Sequence, residues 1–206
     1  MCRFLASTFL ASLVAVLLPF TAGAQNMLTN PDFDTDTSGW GFFASWDPLD
    51  VAVLPTSGSA TWINDSEGTG GALFVIQCVD ISLFNQEFLL SGHVFIPSGN
   101  TAAGYSLVRI SFWTDTACSD YLEGSGFDTA TDSVVDAWEE LQIEAHTPSG
   151  ARSARIGVVN SKSEAGVFRV YAGSVFFGPS PATIFADGFE IGETTGWSLV
   201  VGESLP

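Results

Sequence analysis

The sequence predicts an all-β chain folded as a single antiparallel β-sandwich of the jelly-roll type, and three observations carry that expectation. Apolar residues make up 46% of the 206, enough for a packed core and far too many for a disordered chain. Glycine and proline, 21 and 9 residues, recur too often for long helices. Between them lie short runs rich in β-branched and aromatic residues, each bounded by turn formers such as Pro97-Ser98-Gly99-Asn100 and Pro148-Ser149-Gly150.

The elements follow in order. Strands are expected at 73–79, 87–96, 106–113, 139–147, 154–159 and 167–177, with one short helical candidate at 132–141. Regular short strands of this kind indicate two layered antiparallel sheets. Side chains alternate between the faces of a strand, so Val108, Ile110 and Phe112 are assigned to the core, and Arg109, Ser111 and Trp113 to the opposite face. Likewise Leu90, Val94 and Ile96 point inward, leaving Ser91, His93 and Phe95 outside. Leu141, Ile143 and Ala145 alternate with Glu140, Gln142, Glu144 and His146. Taken together, the three strands predict a polar face with aromatics mixed in.

Residues 1–24 read as an export signal: Arg3, an apolar stretch from Phe9 to Phe20, then Ala22-Gly23-Ala24, with cleavage expected before Gln25. The domain is expected over 25–178, and 179–206 reads as a linker and a short C-terminal tail. The tail's Asp187-Gly188-Phe189-Glu190 and Gly196-Trp197 echo Pro31-Asp32-Phe33-Asp34 and Gly39-Trp40. Cys2 leaves with the leader. Cys78 and Cys118 remain, an even pair in an exported chain, and a disulfide is the first reading, with two ligands of a metal site as its rival. Closing a loop of that size stabilises by about 4 kcal/mol in the chain-entropy model.

Charge narrows the partners. Acidic residues outnumber basic ones 23 to 6, for a net charge of −17, and Lys162 is the single lysine. Nucleic acid needs clustered Lys and Arg to neutralise phosphates, so it is excluded, and anionic membranes are disfavoured. No segment after Ala24 is apolar enough over sufficient length to insert into a bilayer.

The text from Asn26 to Asp34, followed by Gly39-Trp40, resembles the opening strand of carbohydrate-binding modules of families four, nine and twenty-two, which have a galactose-binding-domain-like fold. Gly71-Ala72-Leu73 before Gln77, Leu89-Leu90-Ser91-Gly92-His93-Val94, Trp138 to Leu141 and the run from Thr147 to Ile156 extend the resemblance over about residues 26–178. It implies a β-sandwich that binds polysaccharide or glycan without catalysis. Many such modules hold a structural calcium through an acidic residue after the first-strand Phe and an aspartate near the last strand. Asp34 matches the first, whereas the last strand reads Tyr171-Ala172-Gly173-Ser174-Val175 and has no carboxylate. The spacing Asp32, Asp34, Asp36 does not fit an EF-hand, because Thr37 stands where the loop glycine belongs.

Sugars are bound by stacking their C–H faces on aromatic rings and by hydrogen bonds from planar polar groups. Trp113 and Arg109 share a face and carry that expectation, with His93 and Glu144 expected on neighbouring strands and Trp62, expected in a loop with Trp46, as a further subsite. The structural alternative has Trp113 capping the sandwich edge beside Cys118 and Arg109 paired with a carboxylate. Trp40 and Trp138 are read as structural. No catalytic constellation is recognised: Gly104-Tyr105-Ser106-Leu107-Val108 lacks the closing glycine of a nucleophile elbow, and Glu139-Glu140 point to opposite faces. A surface module binding a protein partner is the second functional expectation, and a hydrolase the third.

Overall fold

The structure is a computed structural model and describes residues 25–41, 43–52, 57–84 and 86–180. Nine strands make up its regular structure: β1 Ser45–Asp47, β2 Ser59–Asn64, β3 Gly70–Asp80, β4 Glu87–Phe95, β5 Gly104–Trp113, β6 Tyr121–Asp128, β7 Trp138–His146, β8 Ser153–Lys162 and β9 Phe168–Pro179. They form two sheets, a five-stranded one in the order β1-β2-β9-β4-β7 and a four-stranded one in the order β3-β8-β5-β6. Every ladder is antiparallel. The all-β sandwich expected from the sequence is the fold observed, and all six expected strands are present.

The core lies between the sheets and is aromatic. Phe33, Phe74, Phe88, Phe112, Phe168 and Phe177 are fully buried, and Phe88 and Phe177 stack with centroids 4.9 Å apart. The alternation assigned from sequence holds on β4 and β5: Leu90, Val94, Val108, Ile110 and Phe112 face inward. Val79 and Val158 extend the same layer from β3 and β8. Burying a side chain of this size stabilises by about 1.5–3 kcal/mol, so the inward set dominates the register of each strand.

Four sequence expectations are corrected. The helical candidate 132–141 contains no helix: Asp132 and Val135 make isolated bridges to Ser106 and Ile96, and from Trp138 the chain is β7. Pairing with β4 outweighs a weak helical period, as tertiary context commonly does. Trp62 is not in a loop. It lies on β2, directed between the sheets, and stacks on Phe74 at 6.3 Å. Trp46 lies on β1, with its indole Nε1 donating to the Phe33 carbonyl at 2.7 Å. Third, β6 was not foreseen, because Tyr121-Leu122-Glu123-Gly124-Ser125-Gly126-Phe127-Asp128 has the glycine content of a loop. Finally, Pro179, the first residue of the expected linker 179–206, still belongs to β9. Ser180 is buried and donates its backbone N–H to Glu87 and its hydroxyl to the Glu144 carboxylate at 2.5 Å. Residues 1–24 and the rest of the tail, 181–206, lie outside the described residues.

Lys162, the single lysine, is buried, and its ammonium donates to the carbonyls of Ser66 and Gly166. It therefore ties the 65–70 turn to the 163–167 turn rather than presenting a cation to a ligand.

Candidate functional site

The bridge Cys78–Cys118 is formed, with Cα atoms 6.0 Å apart. It joins the outer face of β3 to the 114–120 loop, which leads from β5 to β6. That loop is organised by one carboxylate. Asp115 accepts from the backbone N–H groups of Ala117 at 2.7 Å, Ser119 at 3.2 Å and Asp120 at 2.7 Å, and from the Ser119 hydroxyl at 2.6 Å. These donors, led by the Ser119 hydroxyl, hold its pKa down to about 2. Cys118 sits in the left-handed region at φ 53°, which turns its carbonyl toward β8, where the Arg155 guanidinium donates to it.

The outer face of the four-stranded sheet is built around these anchors. Ser111 pairs with Gly126, so an uninterrupted ladder would set Gly124 opposite Trp113; Tyr121 stands there instead. The β6 strand bulges between these rungs. Gly124 at φ 76° turns the backbone, and the Ser125 hydroxyl enters the gap, accepting from the Phe112 N–H at 3.2 Å and donating to the Phe112 carbonyl at 3.0 Å. A bulge of this kind re-aims side chains. Here it brings the Tyr121 ring against Trp113 edge to face, with centroids 5.3 Å apart.

Trp113 is not an open platform. The Arg155 guanidinium lies over its ring at 3.8 Å, in cation–π geometry, and its indole N–H donates to the Ser111 hydroxyl at 3.2 Å. The exposed aromatic of this face is Tyr121, 45% accessible. Beside it Arg109 and Asp128, directly opposite across the β5–β6 ladder, form a two-pronged ion pair at 2.5 and 2.6 Å. The hydrogen bond to Asp128 leads the effects that raise the Arg109 pKa. Arg109, Ser111, Tyr121, Gly126, Asp128 and Arg155 line a shallow depression of about 390 Å³. It combines a paired guanidinium and carboxylate, a second guanidinium stacked on Trp113 and a partly open aromatic wall, a combination suited to hydroxyl-rich ligands.

His93 and Glu144 are not part of this face. The expectation of neighbouring strands is corrected by the topology: β5 belongs to the four-stranded sheet, β4 and β7 to the five-stranded one, so the two residues lie on the far side of the sandwich. Glu144 pairs across from Leu89 and accepts the Ser180 hydroxyl; His93 lies between Glu140 and Gly173, and its Nδ1 is buried with no partner among the described residues. Trp62 belongs to neither outer face. Sequence reasoning placed Trp113 and Arg109 on one face, as found, and missed Tyr121, Asp128 and Arg155. For Arg155 the signal was available in the alternation of β8, where Ala154 and Ile156 are inward; for Tyr121 and Asp128 it was hidden by the bulged, glycine-rich strand.

Asp34 lies in an exposed turn, its N–H accepted by the Asn30 side chain at 3.0 Å. From β9, the Val175 N–H donates to the Pro31 carbonyl at 2.9 Å and the Ser174 hydroxyl donates to Asp32 at 2.8 Å, not to Asp34. Among the described residues no group of three His, Cys, Asp or Glu side chains is arranged to hold a metal ion.

No family model matches the chain, and no curated protein matches it in sequence. Solved structures do match by fold. The enzymatically active domain of tailspike protein 4 of bacteriophage CBA120 superposes with a TM-score of 0.54 at 15% identity over 74% of this chain, which spans 21% of that structure's length. The module TmCBM61, solved in complex with beta-1,4-galactotriose, superposes at 0.53 with 12% identity, over 76% of this chain and the whole of the module. The CBM22-1 xylan-binding domain of Paenibacillus barcinonensis Xyn10C gives 0.51 at 14% identity, over 75% of this chain and 94% of that domain. At these identities the likeness is one of fold: the chain shares the two-layered β-sandwich on which carbohydrate-binding modules of several families are built.

Proposed function

We propose that this chain is an exported, non-catalytic β-sandwich module that binds glycan on the outer face of its four-stranded sheet. The observation that carries the reading is the depression beside Tyr121, where an accessible aromatic ring stands next to the paired Arg109 and Asp128 and the guanidinium of Arg155. Tyr121 offers its ring to the C–H face of a sugar. Asp128 accepts from hydroxyls with the oxygen lone pairs that Arg109 leaves free, and Arg109 fixes the plane of that carboxylate. Trp113 backs the Tyr121 ring and holds Arg155. The likeness in fold to modules solved with sugars adds to the reading, and so do the export signal expected at 1–24 and the disulfide, which forms in oxidising compartments.

A glycan array probed with the oxidised chain tests the proposal, with Tyr121→Ala as the paired variant. Binding to at least one glycan, lost by more than tenfold in the variant while its melting temperature is retained, is the expected result. An array with no binding, or binding indifferent to Tyr121, overturns it.

A further inference from the structure

Resting on the glycan reading, the inference concerns which glycans this face selects. The two arginines of the depression differ in one respect. Arg109 is neutralised, its guanidinium held in both prongs by Asp128. Arg155 is in no ion pair among the described residues: it stacks on Trp113 and donates one bond, to the Cys118 carbonyl. A guanidinium carries five N–H donors, so most of its hydrogen-bonding capacity is unused at the wall of an open depression. The nearby carboxylate of Asp115 is directed into its own loop, where three backbone N–H groups and a hydroxyl occupy it. Asp115 keeps its charge and favours the Arg155 cation through space, but it makes no direct bond to the guanidinium, so the remaining N–H donors of Arg155 face the depression without a carboxylate partner among the described residues.

We propose that the depression takes a largely neutral glycan bearing a single carboxylate-bearing sugar, a uronic acid, with Arg155 as the carboxylate's ligand. The planar fork of a guanidinium matches a carboxylate with two parallel N–H···O bonds, and stacking on Trp113 holds that fork in place before the ligand arrives. Tyr121 and Asp128 contact the neutral part of the chain. The surrounding negative charge sets the other limit: it repels a continuous polyuronate, so one or a few acid groups on a neutral backbone are favoured over a polyanion.

The test is an array of acidic oligosaccharides, each printed beside its carboxyl-reduced counterpart, with polygalacturonate as the polyanion, probed with the wild type, Arg155→Gln and Arg155→Lys. The expected result is that sparsely acidic members bind about tenfold or more better than their reduced counterparts, that polygalacturonate binds less well than they do, and that Arg155→Gln removes the discrimination while Arg155→Lys keeps part of it. Melting curves and thiol titration establish that each variant is folded and bridged; Arg155→Lys keeps the comparison usable where Arg155→Gln does not fold. Reduced members binding as well as the acids, with Tyr121→Ala still abolishing both, overturns the uronate proposal and leaves the glycan reading standing. Polygalacturonate binding best overturns the sparse-charge part. No binding to any member overturns both.

Discussion

The two outer faces of this sandwich use aromatic residues in opposite ways. On the five-stranded sheet Tyr171, Phe95 and Trp138 stand side by side across β9, β4 and β7, with centroid separations of 5.9 and 5.5 Å. This is a cross-strand ladder, each ring covering its neighbour. It is also covered from outside: a Cβ on Gly173 would come within 2.9 Å of Val51 and 3.5 Å of Trp138, so the Val51 side chain lies directly on the β9 backbone there. On the four-stranded sheet Trp113 and Tyr121 meet across a bulge, and the ring left accessible stands over a depression walled by arginine and aspartate. The lesson is that aromatic content does not locate a site. A regular ladder uses rings to close a face, whereas a bulge brings one ring in out of register and leaves room beside it.

That contrast can be broken at several points. The largest effect is expected at the disulfide, which closes a separation of 40 residues: Cys78→Ser with Cys118→Ser lowers stability by about 4 kcal/mol in the chain-entropy model, measured by urea denaturation. It also frees the loop whose carbonyl holds Arg155, so glycan binding falls together with stability; a double variant that melts like the wild type would remove the bridge from this account. Next, Trp138→Ala is expected to cost about 2–3 kcal/mol, from loss of buried ring area and the contacts that surround it, with glycan binding unchanged in the folded fraction. The mirror case is Tyr121→Ala, with stability changed by less than about 1 kcal/mol, as for other surface substitutions, and binding lost. If the two variants exchange roles, the assignment of the two faces is wrong.

Smaller effects sharpen the picture. A Cβ at residue 126 would stand 3.2 Å from the Tyr121 hydroxyl, so Gly126→Ala narrows the depression from its floor and weakens binding by a few-fold at unchanged fold, read by isothermal titration. The smallest concerns pH. The Asp115 pKa is lowered from 3.8 to about 2 in the folded state, so its contribution to stability is fully present above pH 3.8 and is lost as pH falls toward 2. Asp115→Asn flattens that part of the acid-unfolding curve and leaves the curve above pH 5 parallel to the wild type. Asp36, Asp80 and Asp136 are lowered too and leave a residual bend, so a variant curve that bends there as steeply as the wild type would assign the acid sensitivity to them instead.

How far the molecule could be read in advance varied with how regular each segment is. The strands that alternate cleanly, such as Ser106 to Trp113, were legible with their inward and outward sets, because a period of two leaves a register no choice once one face is apolar. The 59–64 segment was missed because it is short and Trp62 and Ile63 look like an isolated apolar pair in a polar stretch. Segment 121–128 was missed because two glycines and a glutamate disguise a strand whose partner, β5, supplies the pairing. Two of the five site side chains were visible, Trp113 and Arg109, since one strand sufficed to place them together. The partners Asp128 and Tyr121 were invisible, since they lie across a ladder interrupted by a bulge.

The sandwich, the bridge expected between Cys78 and Cys118 and the sign of the overall charge follow from composition and local periodicity alone. Which strands share a sheet was decided only by the tertiary structure. Glu144 and His93 carry the same polar alternation as Arg109, yet crossovers between the layers set them on the opposite side of the molecule. Alternation tells a side chain to point away from the core, and a two-layered core has two outsides. Only the order of strands, fixed by long-range pairing and by how the apolar faces close on one another, selects between them.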